Sequence, residues 1–470
     1  MSPAPDRHAI PSHAQVAVIG GGISGLALGF QLLRRGVDAH VLEARERPGG
    51  NIRSEERDGY LCEWGPNGWL DNEPATARLV EALDLRAQLT KASSLANRRW
   101  IVRDGALRAL PARPTQFLRS DVLSLSGRLR VLLEWAQPAR RDSVDESVFD
   151  FAARRIGREA AAVLVDAMVT GVYAGDSRRL SLESAFPRMR ELERVHGGLF
   201  RAMVAMRRAR RRSGAKSGGP LGPGGTLTSF VGGMETIVHA LSSRLGEHLH
   251  VATPVESLAI GRGAWTLAMS GGTSLEAERV VVASPAWTAA PLLAGVDRDL
   301  AALVASVPSA PVAVVCLGLA ESDLQHIERG FGFLVPGREN LPILGTLYDT
   351  WVFPNRSQPG RVLWRTMIGG ARDPGAIEAS DGKLAERTLA ALQKLLGLRA
   401  HPEMVRVIRH PRGIPQYPVG HAATLARIDT ALSRHPGLLL SGNSYRGIAM
   451  NSCIREAESL AEPLAAELAT

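Results

Sequence analysis

The sequence predicts an α/β chain, α+β when taken whole. Three observations carry that reading. A strand, a glycine-rich turn, a helix and a second strand follow one another between Gln15 and Leu42; a mostly helical pattern runs from Pro114 to Arg212; and short apolar runs such as Val280-Val281-Val282 return after it. At 470 residues the chain exceeds what one hydrophobic core supports, so two or three domains are expected.

Gln15-Val16-Ala17-Val18-Ile19 is nearly continuous in apolar residues, as a parallel strand buried on both faces requires. Gly20, Gly22 and Gly25 then complete G-x-G-x-x-G around Ile23 and Ser24. Such glycines serve a tight turn, close approach of backbone to a pyrophosphate, and close packing of helix on strand. Leu26, Phe30 and Leu33 give the following helix one apolar face, and Gly36 is placed to end it. The amides and dipole at its N-terminus would point at phosphate. Val37 to Leu42 reads as the second strand and delivers Glu43, whose carboxylate can accept from a ribose diol. Strand, glycines, helix, strand and acid in register specify a Rossmann-like dinucleotide-binding unit far better than the glycines alone.

Arg45-Glu46-Arg47-Pro48-Gly49-Gly50 adds a second glycine pair beyond the acid. Here the chain resembles the FAD-binding oxidases of the amine oxidase and protoporphyrinogen oxidase superfamily, in which this pair also lies along the FAD phosphates. The resemblance implies FAD contacts at Ala44, Arg45, Gly49 and Gly50. FAD is expected to be noncovalent, since no cysteine or histidine sits in a flavin-linkage motif. Glu63-Trp64-Gly65-Pro66-Asn67-Gly68-Trp69 resembles the loop these flavoproteins place beside the isoalloxazine ring, which adds Gly65 and Pro66.

Composition narrows the partners. A hydrophobic content of 45% with 22% charged residues is that of a globular protein. The net charge is +9, and all but four of the 56 basic residues are arginine. A positive balance suits nucleic acid, an anionic membrane surface or an acidic substrate; no nucleic-acid motif accompanies it, which leaves the last two. Cys62, Cys316 and Cys453 are isolated, so neither a disulfide framework nor a C-x-x-C metal site is expected, and a reducing compartment is. Met1 to Ala14 lacks the apolar core of a signal peptide and reads as a disordered tail. No run approaches the roughly 18 apolar residues needed to span a bilayer. A cytoplasmic location follows, with any membrane contact peripheral, on the inner face of the cell membrane.

Further along, Pro74 to Leu89 reads as a helix and Arg98 to Pro111 as a hairpin turning at Asp104-Gly105. The helical insertion closes with Arg207, Arg208, Arg210, Arg211 and Arg212, then a Ser, Gly and Pro loop from Ser213 to Gly225. Ser229 to Ile237 returns the chain to the nucleotide domain. The run Thr253-Pro254-Val255 resembles the place where a valine backbone meets the adenine, and makes Val255 a candidate. His248 and His250 alternate beside it, but without a third ligand no metal site is expected. Gly437 to Ser441 is a last strand. It leads into Gly442-Asn443-Ser444-Tyr445-Arg446-Gly447-Ile448-Ala449-Met450-Asn451-Ser452-Cys453-Ile454 and a terminal helix that Asn451 or Ser452 can cap and whose early turns suit Glu456 and Glu458. Aimed at the flavin pyrimidine edge, such a helix end would stabilise an anionic reduced ring. The resemblance adds Gly442, Asn443, Ile448, Ala449 and Met450 to the FAD contacts.

The expected organisation is a tail (1–14), an FAD-binding domain in three parts (15–95, 226–295 and 411–470), a substrate-side hairpin with the helical insertion (96–212), and a mixed-sheet substrate-binding domain (296–410).

Several stretches are similar to protoporphyrinogen oxidases of the oxygen-dependent type: Gly171-Val172-Tyr173-Ala174-Gly175-Asp176, Gly330 to Pro336, Tyr348-Asp349 and Pro415-Gln416-Tyr417-Pro418-Val419-Gly420-His421. That resemblance implies oxidation of protoporphyrinogen IX to protoporphyrin IX in heme biosynthesis, in three two-electron steps, with oxygen reduced to hydrogen peroxide. It places Phe331, Leu334, Leu347 and Met367 against the macrocycle, the Gly171 carbonyl beside it, and Arg99 on a propionate. Leu347 and Met367 stand where that family varies. No catalytic side chain is expected, because the flavin carries the chemistry. Coproporphyrinogen III oxidation is the alternative substrate reading. An amine oxidase is another, although none of the four lysines lies near 296–330. A flavin-binding scaffold without turnover fits less well with the intact substrate stretches. A membrane surface and a second copy of the chain stay open as partners.

Overall fold

The computed structural model describes residues 9–111, 114–142, 144–213, 225–261 and 263–469. The protein is a mixed α/β structure built on two seven-stranded sheets. Five parallel strands form the centre of the first, in the order Leu249–His250, Ala39–Leu42, His13–Ile19, Ser274–Val282, Leu438–Leu440. Val16, Ala17 and Val18 have no exposed surface, which is why this run does not alternate. The first strand begins at His13 rather than Gln15, because His13 and Ala14 already pair with Glu276 and Ala277. Of the expected tail, residues 1–8 lie outside the described residues. The second strand is shorter than expected at its start: the Asp38 carbonyl accepts from both Gln15 N–H and Val16 N–H, so regular pairing begins only at Ala39. An antiparallel pair, Val255–Ile260 and Trp265–Met269, extends from the first half of Ser274–Val282.

Helices Ile23–Leu33, Glu235–Leu245 and Met450–Leu468 bury their apolar sides on one face of this sheet. Helices Ala286–Leu293, Arg298–Ala305 and His421–Leu432 cover the other. Leu300, Ala301 and Val304 therefore belong to the nucleotide core, although they follow the boundary expected at 295.

The second sheet runs Met404–Pro415, Ser309–Ala320, Arg361–Gly369, Gly345–Leu347, Gly332–Leu334, Arg99–Arg103, Ala106–Ala109. It is antiparallel except where Gly332–Leu334 lies parallel to Arg99–Arg103. Met404–Pro415 carries this sheet past residue 410. The hairpin turns at Asp104 and Gly105, both with positive φ (51° and 74°), as the right-handed twist of its strands favours. Helix Asp381–Leu396 packs Leu384, Ala391 and Leu392 against one face of the sheet. The segment after the hairpin is helical, with Leu125–Leu132, Val148–Ile156, Asp166–Tyr173, Pro187–His196 and Leu199–Ser213 as its main helices. Arg207 and Arg208 are exposed there, while the side chains of 210–212 and the loop 214–224 lie outside the described residues.

The two halves meet over buried charge. Glu63 and Arg356 have no exposed side-chain surface, and Arg356 Nη2 lies 3.1 Å from Glu63 Oε1. Glu63 also accepts from Met234 N–H at 2.8 Å and from Ser54 Oγ at 2.7 Å. Arg356→Met leaves that carboxylate unpaired, so it should cost about 3–5 kcal/mol in denaturant unfolding, whereas pairing it with Glu63→Met should restore most of the loss. A single variant as stable as the parent would show that the pair does not join the halves.

Candidate functional site

The glycine loop is shaped by contacts that only glycine allows. A Cβ on Gly25 would collide with the Gly20 carbonyl, and one on Gly20, where φ is +113°, would press on the Ser284 backbone at 3.0 Å. Gly22 differs: a Cβ there meets nothing within 4 Å. Gly50 lies alongside, its own Cβ reaching to 3.4 Å from the Gly22 Cα. Gly49 N–H donates to the Gly21 carbonyl at 2.7 Å and joins the two glycine loops edge to edge. Arg47 secures the second loop from behind. Its guanidinium donates to the carbonyls of Pro48, Ile52 and Gly50 and to Glu235, each at 2.9 Å.

Glu43 is buried at the end of its strand, its carboxylate accepting from Gly21 N–H at 2.7 Å and Arg45 N–H at 2.9 Å. These bonds aim the carboxylate across the loop and leave it further lone pairs. Ala44 and Arg45 are exposed beside it. Thr253 N–H donates to the Glu43 carbonyl and Ala252 N–H to that of Arg45, so the strand starting at Val255 leaves from the same rim.

Two helix N-termini converge on this region without a side chain to cap them. Helix Ile23–Leu33 starts from Gly22, with no acid in its first turn. Helix Met450–Leu468 starts from Ala449, so neither Asn451 nor Ser452 caps it. Asn451 is engaged elsewhere: its Nδ2 donates to Leu70 O at 2.9 Å and its Oδ1 accepts from Thr76 Oγ1 at 2.8 Å, which pins the helix to the segment after Trp69. Glu458 pairs with Arg78 at 2.6 Å rather than serving the helix start. Glu456, its carboxyl pushed up by burial, accepts from Gly442 N–H at 3.2 Å. A Cβ on Gly442 would touch Ser24 Oγ at 3.5 Å, so the terminal segment lies against the first helix. Tyr417 Oη donates to the Asn443 carbonyl at 2.5 Å, and Ile448 packs on the Tyr173–Tyr417 cluster.

The substrate candidates lie on one face of the second sheet. Register pairs set Arg99, Gly332, Leu347 and Arg365 in one row and Ile101, Leu334, Gly345 and Met367 in the next, two residues on, so both rows point the same way. The opposite face carries Trp100 and Phe333 into the core under helix Asp381–Leu396. Gly171, exposed in the last turn of its helix, abuts Leu334, whose Cδ2 would lie 2.8 Å from an added Cβ. Carbonyls in a last helical turn lack the intrahelical partner of earlier ones. Arg99, exposed at the start of its strand, lies 4.6 Å over the Phe331 ring and donates to Ala96 O at 3.3 Å; partial desolvation lowers its guanidinium pKa, and among the described residues no carboxylate pairs with it.

Sequence reasoning missed Arg365. It stands in the Arg99 row, donates from Nη2 to the Gly65 carbonyl at 2.9 Å, and lies 3.6 Å from Asp349. Asn67 Nδ2 donates to the other Asp349 oxygen at 2.9 Å. The loop carrying Gly65 and Pro66 is thereby fastened above the sheet face that carries the substrate candidates. The partners lie some 300 residues apart in the chain, so no local pattern announces them.

Paired glycine loops with open space at Gly22, two uncapped helix ends and a facing sheet fit a bound dinucleotide. They define a dinucleotide-binding protein whose glycine loops face a second sheet. The chain matches the family described as flavin containing amine oxidoreductase over residues 23–464, and it belongs to that family. Coproporphyrinogen III oxidase of Bacillus subtilis (strain 168) is 28% identical to it, covering 94% of this chain and 96% of its own. The chloroplastic protoporphyrinogen oxidase of Oryza sativa subsp. japonica is 32% identical, covering 94% and 87%. A solved structure from Exiguobacterium sp. 255-15, 24% identical, superposes with a TM-score of 0.83 over 98% of this chain and 100% of its own, which shows the shared fold.

Gly22→Val places its side chain in space no protein atom occupies, so the variant should fold and elute as the parent while losing most of its FAD. Flavin absorbance per mole of folded protein measures this; full flavin content would remove Gly22 from the cofactor site.

Proposed function

We propose that this oxidase converts protoporphyrinogen IX to protoporphyrin IX, with oxygen as acceptor and hydrogen peroxide as product. Relatives named for porphyrinogen oxidation, matched over nearly their whole length, support the substrate class. The observation that carries the reading is the sheet face. Gly332 and Gly345 bear no side chains at the middle of its two rows and alternate there with Leu334 and Leu347, which leaves gaps in an apolar face that runs from Arg99 to Met367. An apolar face with room over its glycines suits a macrocycle.

When bound, FAD supplies the two-electron acceptor for a hydride leaving a methylene bridge. The protein's part is to bind, orient and exclude water. Arg99 offers a planar fork that a propionate can take with two parallel hydrogen bonds, which sets the bridge that faces the flavin. The Gly171 carbonyl can accept from a pyrrole N–H. The uncapped start of Met450–Leu468 provides amides and a positive dipole end for negative charge on the pyrimidine edge. Over three such oxidations six hydrogens leave the substrate and reduce three oxygen molecules to peroxide. Coproporphyrinogen III, with four propionates, would call for more cations than Arg99, the one guanidinium on this face without a carboxylate partner among the described residues.

Peripheral membrane attachment belongs to the same proposal. No helix among the described residues is long and apolar enough to cross a membrane. Yet Leu125, Leu129 and Leu132, spaced along one helix side, are 66%, 55% and 45% exposed, and Leu118, Leu133 and Trp135 are exposed nearby. Such a patch, on a chain of net charge +9, suits an anionic surface.

Protoporphyrinogen IX and coproporphyrinogen III assayed in parallel under air should both report through porphyrin fluorescence and peroxide, with higher kcat/KM for the former. Preference for the latter would reassign the substrate, and porphyrin formation from neither would reject the reading. Arg99→Ala should keep FAD and fold but lose kcat/KM worth on the order of 2–4 kcal/mol, with Arg99→Lys recovering part. Unchanged efficiency in the alanine variant would remove Arg99 from the substrate site. Leu125→Glu combined with Leu129→Glu should abolish cosedimentation with anionic liposomes at low salt; a parent protein that never sediments with them would exclude the membrane contact.

A further inference from the structure

His248 and His250, which sequence alone left without a third ligand, gain two neighbours in the fold. Asp38 and His40 arrive on the adjacent strand segment. Asp38 Oδ1 lies 3.1 Å from His40 Nε2 and 3.8 Å from His248 Nδ1, and one ligating atom from each of these three residues lies within 4.8 Å of the others. His248 Nδ1 is shielded from solvent and makes no hydrogen bond. Behind them His40 Nδ1 sits 2.9 Å from His250 Nε2.

We propose that Asp38, His40 and His248 form a binding site for a divalent transition metal, with Zn2+ the best match in ligand type. Ligands around a tetrahedral Zn2+, each about 2.0–2.2 Å from the ion, stand roughly 3.4 Å apart, so spacings of no more than 4.8 Å require the ligating atoms to approach by at most about 1.4 Å. Two imidazoles, borderline donors, beside one hard carboxylate suit Zn2+, Co2+ or Ni2+ rather than Mg2+ or Ca2+. His250 completes the arrangement from the second layer. By accepting a hydrogen bond from His40 Nδ1–H it fixes the tautomer that leaves Nε2 with its lone pair toward the ion, the outer support metal-bound histidines usually have. Asp38 and His248 are 48% and 27% exposed, so the ion has an entry path and a fourth position for water.

The ion would act as a clip on the nucleotide unit. His40 lies three residues before Glu43, and the Glu43 N–H donates to His250 O at 2.8 Å. Binding would therefore tie strand Ala39–Leu42 to the edge segment at 248–250 and hold the strand that carries Glu43.

The test uses the full-length FAD-containing protein without a histidine tag, dialysed against chelator. Titration with Co2+ should give one tetrahedral d–d spectrum per chain, displaced by Zn2+, and Zn2+ should raise the thermal midpoint. His248→Gln and Asp38→Asn, both on the exposed side, should keep FAD and the metal-free thermal midpoint while weakening Zn2+ binding at least tenfold. Saturable binding unchanged in both variants, or none in the parent, would overturn the proposal.

Discussion

Four buried charges decide how the two halves of this protein meet. Glu63 reaches the junction from the segment that follows the nucleotide loops, while Asp349, Arg356 and Arg365 come from the second sheet and its connections. An unpaired ion in such a place costs several kcal/mol, so the halves close only in the register that pairs all four. Burial pushes the Asp349 carboxyl up to about 6 against the pull of Arg365 and Arg356. The consequence reaches the site directly, because Arg365 and Asp349 hold the Gly65–Asn67 loop.

Within that frame the protein leaves two helix starts bare where stability alone would favour a cap. A cap at each would add about 1 kcal/mol. Instead the backbone amides after Gly22 and Ala449 remain available, and Asn451 is diverted to Leu70 and Thr76. Both helices are anchored by Leu26, Ala27, Leu28, Ile454, Ala457 and Ala461 in one core, so propensity and capping are not what keep them helical. The positive ends of two rigid helices thus converge on the candidate cofactor site.

The substrate sheet accepts a comparable cost. Glycine inside a strand weakens it by roughly 0.5–1 kcal/mol, and Gly332 and Gly345 lie opposite Leu347 and Leu334 in neighbouring strands. A side chain at Gly332 would strike the Thr346 carbonyl, and one at Gly345 would press on Phe333 O at 2.6 Å. Close strand packing therefore excludes a side chain at both positions, and that same exclusion leaves gaps between the leucines of the face. Pairing to the Arg99 hairpin on one side and Arg361–Gly369 on the other restores the sheet that the glycines weaken.

The sequence by itself determined the succession of strand, glycine turn, helix and strand at the start of the chain, because strand burial, glycine spacing and the terminal acid are all local: each follows from residues within the span from Gln15 to Gly50. The Asp104-Gly105 hairpin was legible for the same reason. Its boundaries with other units were not, since whether Arg298–Ala305 serves one core or another depends on what packs against Leu300 and Val304. Nor was the helix cap at the terminal segment, where Asn451 has the right chemistry but a distant carbonyl outcompetes the helix amides for its side chain. Only the tertiary structure brought Arg365 beneath Gly65, set Arg99 and Met367 on one sheet face, and gathered Asp38 and His40 beside His248. Those are contacts between segments tens to hundreds of residues apart, and local periodicity carries no record of which distant strand will lie next to which.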